Sequence, residues 1–125
     1  MTVAIQRDGH YLLLERSPTD KRHPGLWEFP GGNPEKREPL EEAARREAEE
    51  ETRLTLDILQ PLGTWDRDKD TRTAFFLATA VGTPQPSAEH STFRWASLDE
   101  IIHPDGDMRV GIDTVECARR LLGPR

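Results

Sequence analysis

The stretch Gly32-Asn-Pro-Glu-Lys-Arg-Glu-Pro-Leu-Glu-Glu-Ala-Ala-Arg-Arg-Glu-Ala-Glu-Glu-Glu-Thr-Arg-Leu54 decides how the rest of the chain is read. From Pro39 to about Arg53 it holds no Gly and no internal Pro, and Glu, Ala, Arg and Leu dominate, so it predicts a helix with Pro39 in its first turn. With about 100° per residue, Leu40, Ala43 and Ala44 define an inward stripe that continues into Glu47, Glu50 and Glu51. Glu42, Arg45 and Glu49 fall opposite and read as solvent-facing. Carboxylates at i, i+3 and i+4 on a core-directed face repel one another and raise each other's pKa values unless a cation lies among them. Hard oxygens without cysteines or paired histidines favour Mg²⁺ or Mn²⁺, and Mg²⁺ shares its remaining positions with waters and substrate phosphates. Gly31-Gly32, just upstream, lets backbone approach a ligand closely. An acid-rich helix beside a glycine turn points to a metal-assisted phosphate site.

Working outward, Thr2 to Gln6 and His10 to Glu15 read as strands joined at Arg7-Asp8-Gly9, a strong hairpin signal. Ser17 to Gly25 is a polar loop and Leu26 to Pro30 a short extended segment. After the helix, Leu54 to Ile58, Thr64 to Asp66 and Arg72 to Val81 read as strands, the last being the most apolar stretch and the expected central strand. Gly82 to His90 is a loop, Thr92 to Trp95 a strand, Ser97 or Leu98 to Ile102 a short helix, and Met108 to Leu122 a terminal helix. Strands flanking one helix and closing with another predict an α/β fold, a mixed sheet between helices.

The chain has 125 residues, 34% of them hydrophobic and 32% charged, with a net charge of −6. That length supports one core, so a single domain over 1–125 is expected. No apolar run approaches the roughly 20 residues that span a bilayer, and Arg7 and Asp8 interrupt any leader-like start, so no membrane contact and a cytoplasmic address are expected. The single Cys117 makes no internal disulfide or cysteine metal cluster. An acidic chain has no general attraction for a nucleic-acid backbone, which argues against long DNA or RNA but leaves room for a small polyanion recruited through a metal.

The spacing of Gly32, five residues, Glu38, seven residues, Arg46-Glu47-Ala48, one residue, Glu50-Glu51, one residue, Arg53-Leu54 resembles the Nudix box of nucleoside-diphosphate-linked hydrolases. The approach Gly25-Leu-Trp-Glu-Phe-Pro-Gly-Gly32 resembles that of MutT-like members. Glu89-His90 and Phe93-Arg-Trp-Ala-Ser-Leu-Asp-Glu100 resemble the family's penultimate strand and helix, so the likeness runs over nearly the whole chain. It implies the Nudix fold, a mixed β-sheet sandwiched between α-helices. Two positions depart from the pattern: Arg53 stands where the family usually has glycine, implying strain or a different exit from the helix, and Ala48 stands where it has a larger aliphatic.

The resemblance further implies that Glu47, Glu50 and Glu51 bind the divalent cations, with the Gly31 carbonyl as an additional ligand. It implies that Arg46 holds a glutamate in place and that Glu38 ties loop to helix. Glu89 is the candidate for an acid outside the box, acting as ligand or base, with a solvated loop acid as the alternative. His90 reads as a neighbour of that site, not a ligand. Arg16 could meet phosphate oxygens or sit in an edge salt bridge. Trp27 and Phe29 could stack on a base, although an aromatic in a strand more often belongs to the core. The remaining aromatics, Trp65 and Trp95, read as core or rim, and His10, His23 and His103 as surface. The expected reaction is Mg²⁺-dependent attack of water on a phosphorus of a nucleoside triphosphate, oxidised nucleotides included, releasing nucleoside monophosphate and pyrophosphate. ADP-ribose, dinucleoside polyphosphates and nucleotide sugars are the alternative substrates, and a catalytically silent nucleotide-binding module is the alternative class. Monomer and homodimer both remain open.

Overall fold

Val3-Ala4-Ile5, Tyr11-Leu12-Leu13-Leu14 and Ala74-Phe75-Phe76-Leu77-Ala78 are apolar at successive positions, as strands must be when both faces of their sheet are covered. The computed structural model, which describes residues 1–123, shows that arrangement. Strands β1 (Thr2–Arg7), β2 (His10–Arg16) and β3 (Trp27–Glu28) precede helix α1 (Leu40–Thr52). Then follow β4 (Thr55–Asp66), β5 (Arg72–Val81), β6 (His90–Ala96), α2 (Leu98–Ile102) and α3 (Ile112–Leu122). The sheet runs β3-β2-β1-β5-β4 with β6 against β2, and β1 pairs in parallel with β5. Its other pairings are antiparallel, so the sheet is mixed.

Alternation along each strand sends side chains to two cores. Val3, Ile5, Leu12, Leu14, Phe76 and Ala78 meet Ala44 and Ala48 of α1 on one face. Ala4, Tyr11, Leu13 and Phe75 meet Ile101, Cys117 and Ala118 from α2 and α3 on the other. The Cys117 thiol is fully buried there, which pushes its pKa up to about 12. Asp8 and Gly9 both take positive φ, 52° and 77°, as the predicted tight hairpin requires. Ser97 accepts from the Glu100 N–H while Glu100 reaches back to the Ser97 N–H, so a capping box starts α2. Among the described residues no helix is long and apolar enough to cross a membrane.

Four expectations need correction. The segments 54–58 and 64–66 belong to one continuous strand, β4; its register shifts at Leu56/Ile58 and Pro61/Gly63 absorb the proline and glycine, which an edge strand tolerates. Helix α3 begins at Ile112, because the Trp27 N–H donates to the Arg109 carbonyl and the Gly111 N–H to the Trp27 carbonyl, holding residues 109–111 extended beside β3. Leu40 is 46% exposed, so the inward stripe of α1 consists of Ala43, Ala44 and Ala48. Arg45 and Glu49 are not free solvent residues: the Arg45 guanidinium donates to the Leu56 carbonyl and the Glu49 carboxylate accepts from the Leu56 N–H, both at 2.8 Å. They clamp the start of β4 to the helix.

Candidate active site

Helix α1 ends in a left-handed residue, Arg53, with φ 61° and ψ 14°, and its N–H donates to the Glu49 carbonyl. The exit is thus the ordinary left-handed one, made by a residue with a Cβ, and strain is the consequence of the departure from glycine. Ala48 lies fully buried against the sheet, where a small side chain lets the helix sit close. That seating brings the last turn of α1 against Gly31-Gly32 and the start of β6.

Glu51 is buried. Its Oε1 accepts from the Gly31 N–H at 2.7 Å, and its Oε2 lies 3.8 Å from His90 Nδ1. Burial pushes the Glu51 carboxyl up to about 7 against the pull of the Gly31 N–H and His90, with Glu28 and Glu89 adding to the rise. Glu47 is half-buried and turns the other way, with Oε1 accepting from Arg46 Nη1 at 2.8 Å. Glu50 is exposed, which corrects its expected place on the inward stripe, and its carboxylate stands 3.6 Å from the same guanidinium nitrogen. The three box acids therefore share one end of α1 without meeting at a point: Arg46 draws Glu47 and Glu50, and Glu51 faces Gly31 and His90.

Arg46 is itself held by Glu38 through two bonds of 2.8 Å, from Nε and Nη2. These bonds and the Glu35 N–H hold the Glu38 carboxyl down at about 2. Gly32 lies directly over Glu47, and a Cβ there would stand 2.6 Å from the Glu47 carboxyl carbon. Only glycine leaves that carboxylate in place.

Among the described residues the set of three ligating groups that converges is Glu51, Glu89 and His90, with ligand atoms within 4.8 Å of one another. The His90 ring is fully buried; Nε2 is 3.0 Å from Glu28 Oε2 and Nδ1 has no hydrogen-bond partner. Glu89 is exposed. A converging oxygen set, a buried nitrogen without a partner and a glycine cradle fit a divalent cation, which Glu51 and Glu89 would hold with Glu47 and Glu50 alongside.

Arg16 occupies a double ion pair, with Nη1 3.1 Å from Asp20 and Nε 2.9 Å from Glu28, while still lining the cleft beside the site. Phe29 is 3% exposed and its ring lies 6.2 Å from that of Tyr11. Trp27 packs half-buried on the second core with the Arg94 guanidinium over its ring at 5.9 Å. Phe29 therefore serves the core, whereas Trp27 stays half-buried with Arg94 beside its ring.

Glu28 was not visible as a site residue from sequence, yet its alternation was the available signal. With Trp27 and Phe29 directed to the second core, the residue between them must face α1.

An α/β/α sandwich with an acidic helix end packed on a paired glycine is the arrangement expected of a hydrolase that works through divalent cations. The chain belongs to the NUDIX family: the family model for the NUDIX domain matches residues 1–116. It is a MutT-like Nudix hydrolase. Over 68 residues it is 43% identical to "Nucleoside triphosphatase NudI" of Klebsiella pneumoniae, a match covering 54% of this chain and about half, 48%, of that protein. The same-named protein of an Escherichia coli strain is 29% identical over an alignment of 117 positions, covering 81% of this chain and 82% of that one. Among solved structures, the MutT NUDIX hydrolase of Burkholderia pseudomallei superposes with a TM-score of 0.79 at 27% identity, covering 96% of this chain and 94% of that one.

Proposed function

We propose that the chain hydrolyses nucleoside triphosphates to nucleoside monophosphate and pyrophosphate, with Mg²⁺ as its cation and the cytoplasmic nucleotide pool as its substrate source. One observation carries the reading. A cleft of about 910 Å³ opens from Glu28 and Gly31-Gly32, the groups that touch Glu47, Glu51 and His90, and its walls carry Arg16, Lys21, Arg22, Arg67 and Arg72. Asp20 and Asp113 line the same cleft and pair with Arg16 and Arg67, and the box acids stand behind its Gly31-Gly32 end, so the cations along the walls suit a polyphosphate whose reacting end lies at the glycines. The names of the Klebsiella and Escherichia relatives favour a triphosphate.

In this reading Glu47, Glu50 and Glu51, with the Gly31 carbonyl, hold the cation. When bound, the cation neutralises phosphate oxygens and makes water a better nucleophile. Arg46, anchored by Glu38, fixes the Glu47 carboxylate against Gly32. Glu89, exposed beside Glu51, serves as a further cation ligand or accepts the proton of the attacking water. Arg16, with Lys21 and Arg22 on the neighbouring loop, meets the non-reacting phosphates.

The test is a panel of ordinary and oxidised nucleoside triphosphates, ADP-ribose, dinucleoside polyphosphates and nucleotide sugars, incubated with Mg²⁺ and resolved by chromatography. Monophosphate and pyrophosphate from a triphosphate are expected. Turnover of ADP-ribose alone would overturn the substrate, and turnover of nothing would favour a silent binding module.

A further inference from the structure

We infer that His90 is a nitrogen ligand in this site, fixed in its ligating tautomer by Glu28, so that with Glu51 and Glu89 it forms a mixed nitrogen–oxygen position for a transition cation such as Mn²⁺. The inference rests on the metal-dependent reading above and adds a ligand type that the box acids do not provide.

The tautomer follows from Glu28. A carboxylate accepts hydrogen bonds, so the 3.0 Å contact to Nε2 places a proton on that nitrogen, and in the neutral ring, the form that binds metal, the lone pair is on Nδ1. The same oxygen is ion-paired with Arg16, whose Nε lies 2.9 Å away but outside hydrogen-bond geometry. Nδ1 is sealed from solvent and has no hydrogen-bond partner, a costly state for a polar atom in a native core. Its nearest carboxylate oxygen, Glu51 Oε2 at 3.8 Å, is too far for a hydrogen bond. Two ligands bound to one ion at about 2.1 Å each stand at most about 4.2 Å apart, so this separation is one that a single ion bridges. Glu51 has the right oxygen free, because the Gly31 N–H occupies the other. Glu89, exposed, offers the third ligand atom, within 4.8 Å of the other two.

Strand pairing puts the histidine there. The β2–β6 register shifts between Glu15 and Arg16, and past that irregularity His90 pairs with Arg16, the residue whose side chain braces Glu28. A carboxylate on the far nitrogen is the usual companion of a ligating histidine, where it orients the ring and raises its basicity. Imidazole also changes the ion preferred, since carboxylates alone suit Mg²⁺ whereas a nitrogen donor favours the transition ions.

Pulsed electron paramagnetic resonance on the Mn²⁺-loaded full chain tests this directly. The wild type is expected to show imidazole nitrogen coupling that changes on ¹⁵N-histidine labelling. His90→Gln, which can still donate to Glu28, should abolish the coupling and weaken Mn²⁺ binding at least about ten-fold, and Glu28→Gln should weaken it within about 10–100-fold. If His90→Gln fails to fold, the wild-type spectrum and the Glu28→Gln titration still decide. An oxygen-only signature in a chain that turns over nucleotides would overturn the histidine ligand and leave the hydrolase reading intact. Absence of both Mn²⁺ binding and metal-dependent turnover would overturn the two together.

Discussion

At Gly32 the missing side chain leaves the space that the Glu47 carboxylate fills. A Cβ would press to 2.6 Å on the Glu47 carboxyl carbon, whose carboxylate is already pinned by Arg46. Gly32→Ala is expected to keep the fold and to reduce Mg²⁺ affinity about ten-fold or more, read by Mg²⁺ titration of the thermal midpoint, because a displaced ligand costs binding before it costs packing. Arg53 shows the opposite case, a side chain where none is wanted. Its φ of 61° is the left-handed conformation that disfavours any residue with a Cβ, and the side chain is exposed. Arg53→Gly should therefore stabilise the protein by about 1 kcal/mol in urea unfolding. A lower midpoint would show that the Arg53 side chain makes contributions outweighing the strain.

At the scale of the element, α1 is fixed from both ends. Arg45 and Glu49 clamp the Leu56 peptide, and Glu38 grips Arg46 from the preceding loop. The Glu38 carboxyl is held down from 4.5 to about 2, so its contribution to stability is fully present above its unfolded value. That contribution is lost as pH falls from 4.5 toward 2. Denaturation midpoints measured across that window should fall in the wild type and fall less in Glu38→Gln. Helix α1 was legible in sequence because its period, its composition and Pro39 agree. Its outer face was misread because a helical wheel knows nothing of the strand that follows, and β4 reaches back to Arg45 and Glu49. The continuity of β4 was hidden for a related reason: Pro61 and Gly63 read as breakers, and only the register against β5 shows them taken up at an irregular edge.

For the molecule as a whole, the double-sided sheet was legible because its strands are apolar at successive positions. The site was half legible. Glu47, Glu50 and Glu51 stand out by spacing on one helix, whereas Glu28 and His90 meet across 62 positions of chain, and no local pattern joins them. What unites them is topology: β3 and β6 both pair with β2, which carries Arg16 between them. Metal-dependent hydrolysis of a nucleoside triphosphate by α1's carboxylates would depend most on Glu51, buried at the junction of helix, glycine turn and histidine. The direct measurement is turnover of a nucleoside triphosphate by Glu51→Gln against wild type in saturating Mg²⁺, with the thermal midpoints compared to verify folding. A metal-holding role for Glu51 predicts loss of turnover by at least about 100-fold with the fold retained, more than the cost of losing a group that only orients a ligand. Turnover within a few-fold of wild type would contradict it.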